Sequence, residues 1–229
     1  MGKLFIVATP IGNLQDMTLR GLDTLRAVDL IACEDTRVSS KLLAHFEIKK
    51  SLISLHEHSD QAKLEKILKE IEQGKDVAYV SDAGTPGVND PGGKLVALAQ
   101  ERNITVVPIP GASALSVAIS VCGFAMDDFH YAGFAPHKKG RKTFFEEVAE
   151  RKIPTIFFES THRIEKALDS LKESLQPSRV IFVGRELTKQ FETVYTGTID
   201  EVAKQLHETS LKGEFVIIVG PLSKRYAAE

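Results

Sequence analysis

Short apolar runs alternate with helix-period patterns along this 229-residue chain, and that rhythm constrains its fold more than any other feature. Residues 4–8, 30–33, 77–80 and 104–108 read as strands in the first half. Residues 155–158, 180–183, 191–196 and 215–219 read as strands in the second. Between them, Thr18 opens a helix with Leu19, Leu22, Leu25 and Val28 on one face. Ser59 is the expected N-cap of a second, with Leu64, Ile67, Leu68 and Ile71 at i, i+3, i+4 and i+7, and Gly74 follows its last turn. Helices are also expected at 93–102, 113–121, around Ile164, Leu168, Leu171 and Leu175, and at 199–208. Strands alternating with helices predict an α/β protein with mixed, mostly parallel sheets.

The alternation breaks at 123–142, where Gly123, Asp127-Asp128, Gly133, Pro136 and Gly140 fall. At roughly 150 residues per domain, the length admits one large or two small domains. The break favours two α/β domains, 1–122 and 123–229. Apolar residues at 43% and charged residues at 26% are enough to bury a core without staples. Cys33 and Cys122 are isolated thiols in apolar stretches, which argues against a disulfide framework and for a reducing, cytoplasmic setting. The apolar run of residues 4–8 stops at Thr9-Pro10, too short for a signal peptide, and no 18-residue apolar run predicts a membrane span. The formal net charge is −2, with 13 basic and 15 acidic residues up to position 120 and 16 of each beyond it. Neither half is strongly basic, so any nucleic-acid contact must come from a local patch.

Several common motifs are missing. No G-x-G-x-x-G follows the first strand. Gly92-Gly93-Lys94-Leu95 lacks the glycine at 88 and the hydroxyl residue at 95 that a P-loop needs. His56-Glu57-His58 has no histidine at 60, and no G-x-S-x-G occurs. The seven histidines show no ligand spacing, so no metal site is expected.

Loops carry the positive signal. Ser81 to Gly93 leaves the carboxyl end of a buried strand, where open α/β sheets place ligands. Its four glycines and two prolines fix its path and permit close backbone approach. Thr9 to Leu14, Cys33-Glu34-Asp35-Thr36-Arg37 and Pro108 to Ala114 hold the same position after other strands. Each alone is explained by turn chemistry and capping, with Asp35 or Thr36 as N-cap. Four on one sheet edge favour a site. In the second half, Phe157 to Arg163 and Arg185-Glu186-Leu187-Thr188-Lys189 also end strands in polar clusters. His137-Lys138-Lys139-Gly140-Arg141-Lys142 is the strongest basic run.

Together, V-A-T-P-I-G-N-L, C-E-D-T-R, S-D-A-G-T-P-G-V-N-D-P-G, P-G-A-S-A, G-F-A-P-H-K-K-G-R, F-F-E-S-T-H-R and R-E-L-T-K-Q-F-E resemble the tetrapyrrole (corrin/porphyrin) methylase family. They are most similar to its branch that methylates the 2′-hydroxyl of a cytidine ribose in 16S ribosomal RNA. The likeness runs from residue 3 to about 220. It implies two α/β domains, S-adenosylmethionine in the cleft between them, and a homodimer. The family's acidic loop matches Asp82, Ala83, Gly84 and Thr85, and its small-residue turn matches Gly111 through Ser113 to Ala114. Its second-domain cofactor contacts match Phe158, Glu186 and Glu214, and Pro10 borders the cleft. Relatives in that branch generally continue into a small C-terminal helical region, whereas this sequence ends at Glu229.

Methyl transfer from a sulfonium is an in-line displacement governed by near-attack positioning. A ribose hydroxyl benefits from a general base, for which Glu34, Asp35, Glu159 and His162 are candidates by position. Arg37, Arg141, Arg163, Arg185 and Lys189, with Lys138 and Lys139 in the basic run, are candidates for holding the phosphates of 16S rRNA in the 30S subunit. Two alternatives stand beside this reading. One is methylation of a tetrapyrrole intermediate of cobalamin or sirohaem synthesis. The other is a ribosome-associated module that binds the cofactor without transferring its methyl.

Overall fold

The computed structural model describes residues 1–56 and 61–222. Two compact units divide the chain, Met1–Ser113 and a second from Ala114 onward. The division falls at the start of the 114–121 helix, whereas the break in the sequence pattern predicts a boundary at 122.

The first unit is a five-stranded, wholly parallel sheet in the order β3-β2-β4-β1-β5: β1 (Leu4–Val7), β2 (Leu30–Cys33), β3 (Ser51–Ser54), β4 (Val77–Val80) and β5 (Val106–Ile109). Its central strands read as unbroken apolar runs because both faces are covered: every residue of β2 and β4 is buried. Alternate side chains go to opposite cores. Leu30, Ala32, Val77 and Tyr79 meet α3 (Gln61–Glu72) and α4 (Gly92–Glu101). Ile31, Cys33, Ala78 and Val80 meet α1 (Leu19–Ala27) and α2 (Thr36–His45).

The helix starts follow the sequence. The Thr18 hydroxyl accepts the Gly21 N–H at 3.0 Å and caps α1. Asp35 caps α2, accepting the Arg37 N–H at 2.8 Å. Gly74 closes α3 with φ at +101°. The expected Ser59 cap lies outside the described residues.

Neighbouring strands β1 and β4 are followed by helices on opposite faces, α1 on one and α4 on the other. Their carboxyl ends therefore diverge at a topological switch point, the usual location of a ligand crevice.

The second unit holds α5 (Ala114–Val121), β6 (His130–Phe134), α6 (Arg141–Glu150), β7 (Thr155–Ser160), α7 (Ile164–Ser174), β8 (Val180–Arg185), β9 (Thr193–Thr198), α8 (Ile199–Thr209) and β10 (Glu214–Val219). Its sheet runs β6-β7-β10-β8-β9 and is mixed: β6 and β7 are parallel, and the other pairs are antiparallel. Phe145 and Val148 of α6, Leu168 and Leu171 of α7, and Val202 and Leu206 of α8 pack with Phe157, Ile181, Val183, Phe215 and Ile217 in one core. A capping box starts α8: Thr198 N–H donates to Glu201 Oε2 at 2.8 Å, and the Thr198 hydroxyl accepts the Glu201 N–H. Among the described residues no helix is long and apolar enough to cross a membrane.

Candidate functional site

All four loops expected at the carboxyl edge of the first sheet are joined there by hydrogen bonds. Thr9 and Gly84 form an antiparallel bridge, each N–H donating to the other's carbonyl at 3.0 Å. This locks the loops after β1 and β4 together at the switch point. The Thr85 hydroxyl donates to the Ala112 carbonyl at 3.0 Å, tying in the loop after β5. The Asp35 N–H donates to Asp82 Oδ1 at 2.9 Å, tying in the loop after β2, and the Asp82 N–H lies 3.5 Å from Glu34 Oε2.

Two glycines serve close approach. Gly84 has φ +83°, and a Cβ there would lie 3.2 Å from Ile11 Cγ2. A Cβ on Gly111 would lie 3.0 Å from the Ala8 methyl. The loops border a cavity of about 390 Å³ lined by Thr9 to Gly12, Ser81 to Ala83, and Val38, Ser39 and Leu42 of α2. That volume suits part or all of a small-molecule ligand.

The acidic groups of these loops are tuned in opposite directions. Burial pushes the Asp82 carboxyl up, against the Asp35 N–H bond that favours its charged form. The Arg37 guanidinium, 2.5 Å from Asp35 Oδ2, holds Asp35 down at about 2. Burial also raises the Cys33 thiol.

Asp90 is a residue the sequence reading passed over. Its carboxylate accepts N–H bonds from Gly87 at 2.6 Å, Val88 at 3.0 Å and Gly92 at 2.7 Å, and the Tyr79 hydroxyl at 3.2 Å. It therefore folds the second half of the long loop onto the start of α4. The signal was present: an Asp before Pro-Gly-Gly is Asx-turn chemistry.

In the second unit, the candidate residues form two separate clusters. Glu159 has no exposed side-chain surface and pairs with Arg141 at 3.3 Å and Arg163 at 2.9 Å. His162 stands nearby on the surface. Lys138 and Lys139 are exposed in the loop between β6 and α6. Phe158 lies edge-on between Tyr131 and Phe134.

In the second cluster Lys189 bridges Glu186 at 3.0 Å and Glu214 at 2.9 Å. Glu186 has left-handed backbone, φ +50°, and its Oε1 accepts the Glu214 N–H at 2.8 Å. Burial works against that carboxylate, but the Glu214 N–H and Lys189 outweigh it and hold Glu186 below its ordinary range. The Arg185 guanidinium donates to the carbonyls of Lys212 at 2.6 Å and Phe191 at 2.9 Å. Arg163 and Arg185 are thus engaged with the protein itself, a use that a list of cations cannot reveal. Among the described residues no three His, Cys, Asp or Glu side chains gather in a metal-binding group.

A parallel sheet with a switch-point crevice in one unit and a mixed sheet in the other make an architecture that comparison with known proteins places in a family. The model of the tetrapyrrole (corrin/porphyrin) methylases matches residues 3–203, and the chain belongs to that family. Its members use S-adenosylmethionine, and the chain is a methyltransferase with that cofactor.

More particularly, the chain is 47% identical over 221 residues to the ribosomal RNA small subunit methyltransferase I of Haemophilus influenzae, covering 95% of this chain and 78% of that protein. It is 45% identical to the protein of that name from Mycoplasmopsis pulmonis, over 95% of this chain and 97% of the relative. Among solved structures, the uroporphyrin-III-C-methyltransferase of Thermus thermophilus superposes with a TM-score of 0.67 at 17% identity, over 96% of this chain and 94% of that one. The methyltransferase CobJ gives 0.69 at 17% identity, over 97% and 95%.

The first-unit loops fit the cofactor. The Asp82 carboxylate, which accepts the Asp35 N–H at the carboxyl edge of the sheet, has the chemistry that suits a ribose hydroxyl or an ammonium.

Proposed function

We propose that this chain transfers the methyl group of S-adenosylmethionine to the 2′-hydroxyl of a cytidine ribose in 16S ribosomal RNA, within the 30S subunit, as a cytoplasmic homodimer. The observation that carries the RNA reading over a tetrapyrrole substrate is a contrast in likeness. Relatives named for ribosomal RNA share 42–47% identity over at least 95% of the chain. Tetrapyrrole-modifying enzymes share the fold at 14–17%.

In this reading the loops carrying Pro10, Asp82 to Thr85 and Gly111 to Ala114 hold the cofactor, and Phe158, Glu186 and Glu214 are its second-unit contacts. The cofactor supplies an electrophilic methyl. The protein's own task is to align the ribose oxygen and take its proton.

Of the four candidate bases, Asp35 stays ionised down to about pH 2 under Arg37 and is a weak proton acceptor. Glu159 is occupied by two guanidiniums. Glu34 and His162 are the remaining candidates. Glu34→Gln or His162→Gln, whichever removes the base, lowers kcat by about 10²–10⁴ with KM nearly unchanged. Neither variant moving kcat by more than threefold excludes both.

Lys138 and Lys139 are the proposed phosphate contacts, with Arg37 at 86% side-chain exposure and Lys189 as further candidates. Arg141 is left out of the test because it also donates to the Pro136 carbonyl at 2.9 Å and shapes the loop. Lys138→Ala with Lys139→Ala raises KM for 30S subunits and leaves cofactor affinity unchanged. It also flattens the logarithmic salt dependence by about 1.5, since two phosphate contacts release fewer counterions. Equal KM and equal slopes for wild type and variant remove this loop from the RNA interface.

A further inference from the structure

Resting on the reading of Lys138 and Lys139 as RNA contacts, we propose that Glu159 is a positioning residue that holds their loop in its binding shape. Its carboxylate is wholly enclosed and bonded at both oxygens. Arg163 Nε lies 2.9 Å from Oε1, which also accepts the Ser160 N–H at 2.9 Å, and Arg141 Nη1 lies 3.3 Å from Oε2. Each guanidinium in turn grips the chain just before the lysines. Arg163 Nη1 donates to the Ala135 carbonyl at 2.9 Å, and Arg141 Nη1 to the Pro136 carbonyl at 2.9 Å.

Arg141 also closes the loop from its far end, because its own N–H donates to the Lys138 carbonyl at 3.3 Å across Gly140 at φ +80°. One residue therefore fastens both ends of the segment from Pro136 to Arg141, and Glu159 fixes that residue. Arg141 is further seated over the Phe145 ring, 5.0 Å from its centroid. Its Nη2 is buried without a protein partner, so the Glu159 pairing and the Pro136 carbonyl are what orient the fork. A neutral amide at 159 would leave two largely buried guanidiniums without their shared counter-charge. The strap would loosen where the lysines are displayed.

The test uses the full chain carrying Glu159→Gln, with Arg163→Lys as a second variant that keeps the charge and loses the fork. Tryptic cleavage after Lys138 and Lys139, which needs no RNA, is expected to quicken at least tenfold at a temperature where melting shows the variants folded. KM for 30S subunits is expected to rise five- to tenfold while kcat stays within twofold. Adding Glu159→Gln to the Lys138→Ala, Lys139→Ala pair is expected to raise KM by no more than another twofold. Unchanged cleavage in both folded variants overturns the proposal. So does a KM effect that multiplies fully with that of the lysine pair, because Glu159 would then act elsewhere. If wild type fails to methylate 30S subunits, the RNA reading falls, and the cleavage rates still decide whether Glu159 holds the loop.

Discussion

Asp35 and Asp82 are joined by a hydrogen bond, yet their environments push their proton affinities apart. Asp35 gains Arg37 and the first N–H groups of α2, so its folded value of about 2 lies below the ordinary one. Its contribution to stability is fully present above the unfolded carboxylate range, near pH 4, and is lost as pH falls through about 2. Asp82 is raised by burial, so ionising it works against the folded state as pH climbs. Asp35→Asn should lower the melting temperature at pH 6, and the deficit should shrink towards zero near pH 2. A deficit that stays constant from pH 6 to pH 2 would show that the charge of Asp35 does not contribute to stability. The cap itself was legible from Asp before Thr-Arg. Arg179 was not: its guanidinium is buried on the carbonyls of Ala149, Arg151 and Gly220, and burial brings it down to about 10. Nothing local in Pro-Ser-Arg-Val announces a contact 41 residues away.

At the scale of elements, the loops after β1, β2 and β5 are each bonded to the loop after β4, where Gly84 has left-handed backbone and a close neighbour in Ile11. Replacing Gly84 by Val forces a branched side chain into left-handed backbone against Ile11. Calorimetry should show S-adenosylmethionine affinity at least tenfold weaker than in the surface control Lys66→Ala. Equal affinities would move the cofactor away from this loop. Three of these loops were legible because glycine and proline punctuate them after clear strands, and the fourth because Glu-Asp-Thr-Arg follows an apolar run directly. Three elements were not. β3 is Ser-Leu-Ile-Ser, too short and polar to stand out. β6 carries Gly133 at φ +69° and a register shift between Tyr131 and Phe134, which broke its alternation. α6 begins within the basic run, and its Phe144-Phe145 pair blurs the helical stripe. The strand expected at 191–196 occupies Thr193–Thr198 instead, and Phe191 stands 65% exposed in the turn before it.

For the molecule as a whole, the α/β class followed from strand–helix alternation, and the first unit is parallel throughout. The antiparallel pairings of the second unit were hidden because pairing partners are set by tertiary packing. Residues 155–160, for example, pair with 214–219 far along the chain. The near-neutral charge bears on function in the same way. With a net charge of −2, general attraction to RNA is weak, so the proposed function requires local cations and a folded target. The central claim is therefore about one oxygen atom in one kind of substrate. The direct measurement incubates unmodified 30S subunits with tritiated-methyl S-adenosylmethionine, alongside uroporphyrinogen III and precorrin substrates. The RNA is then hydrolysed in alkali, which cannot cleave after a ribose whose 2′-oxygen is methylated. Label recovered from 16S RNA in an alkali-resistant dinucleotide carrying 2′-O-methylcytidine is the predicted result. Label in a base, label only in the tetrapyrroles, or cofactor binding without transfer to any of them would contradict it.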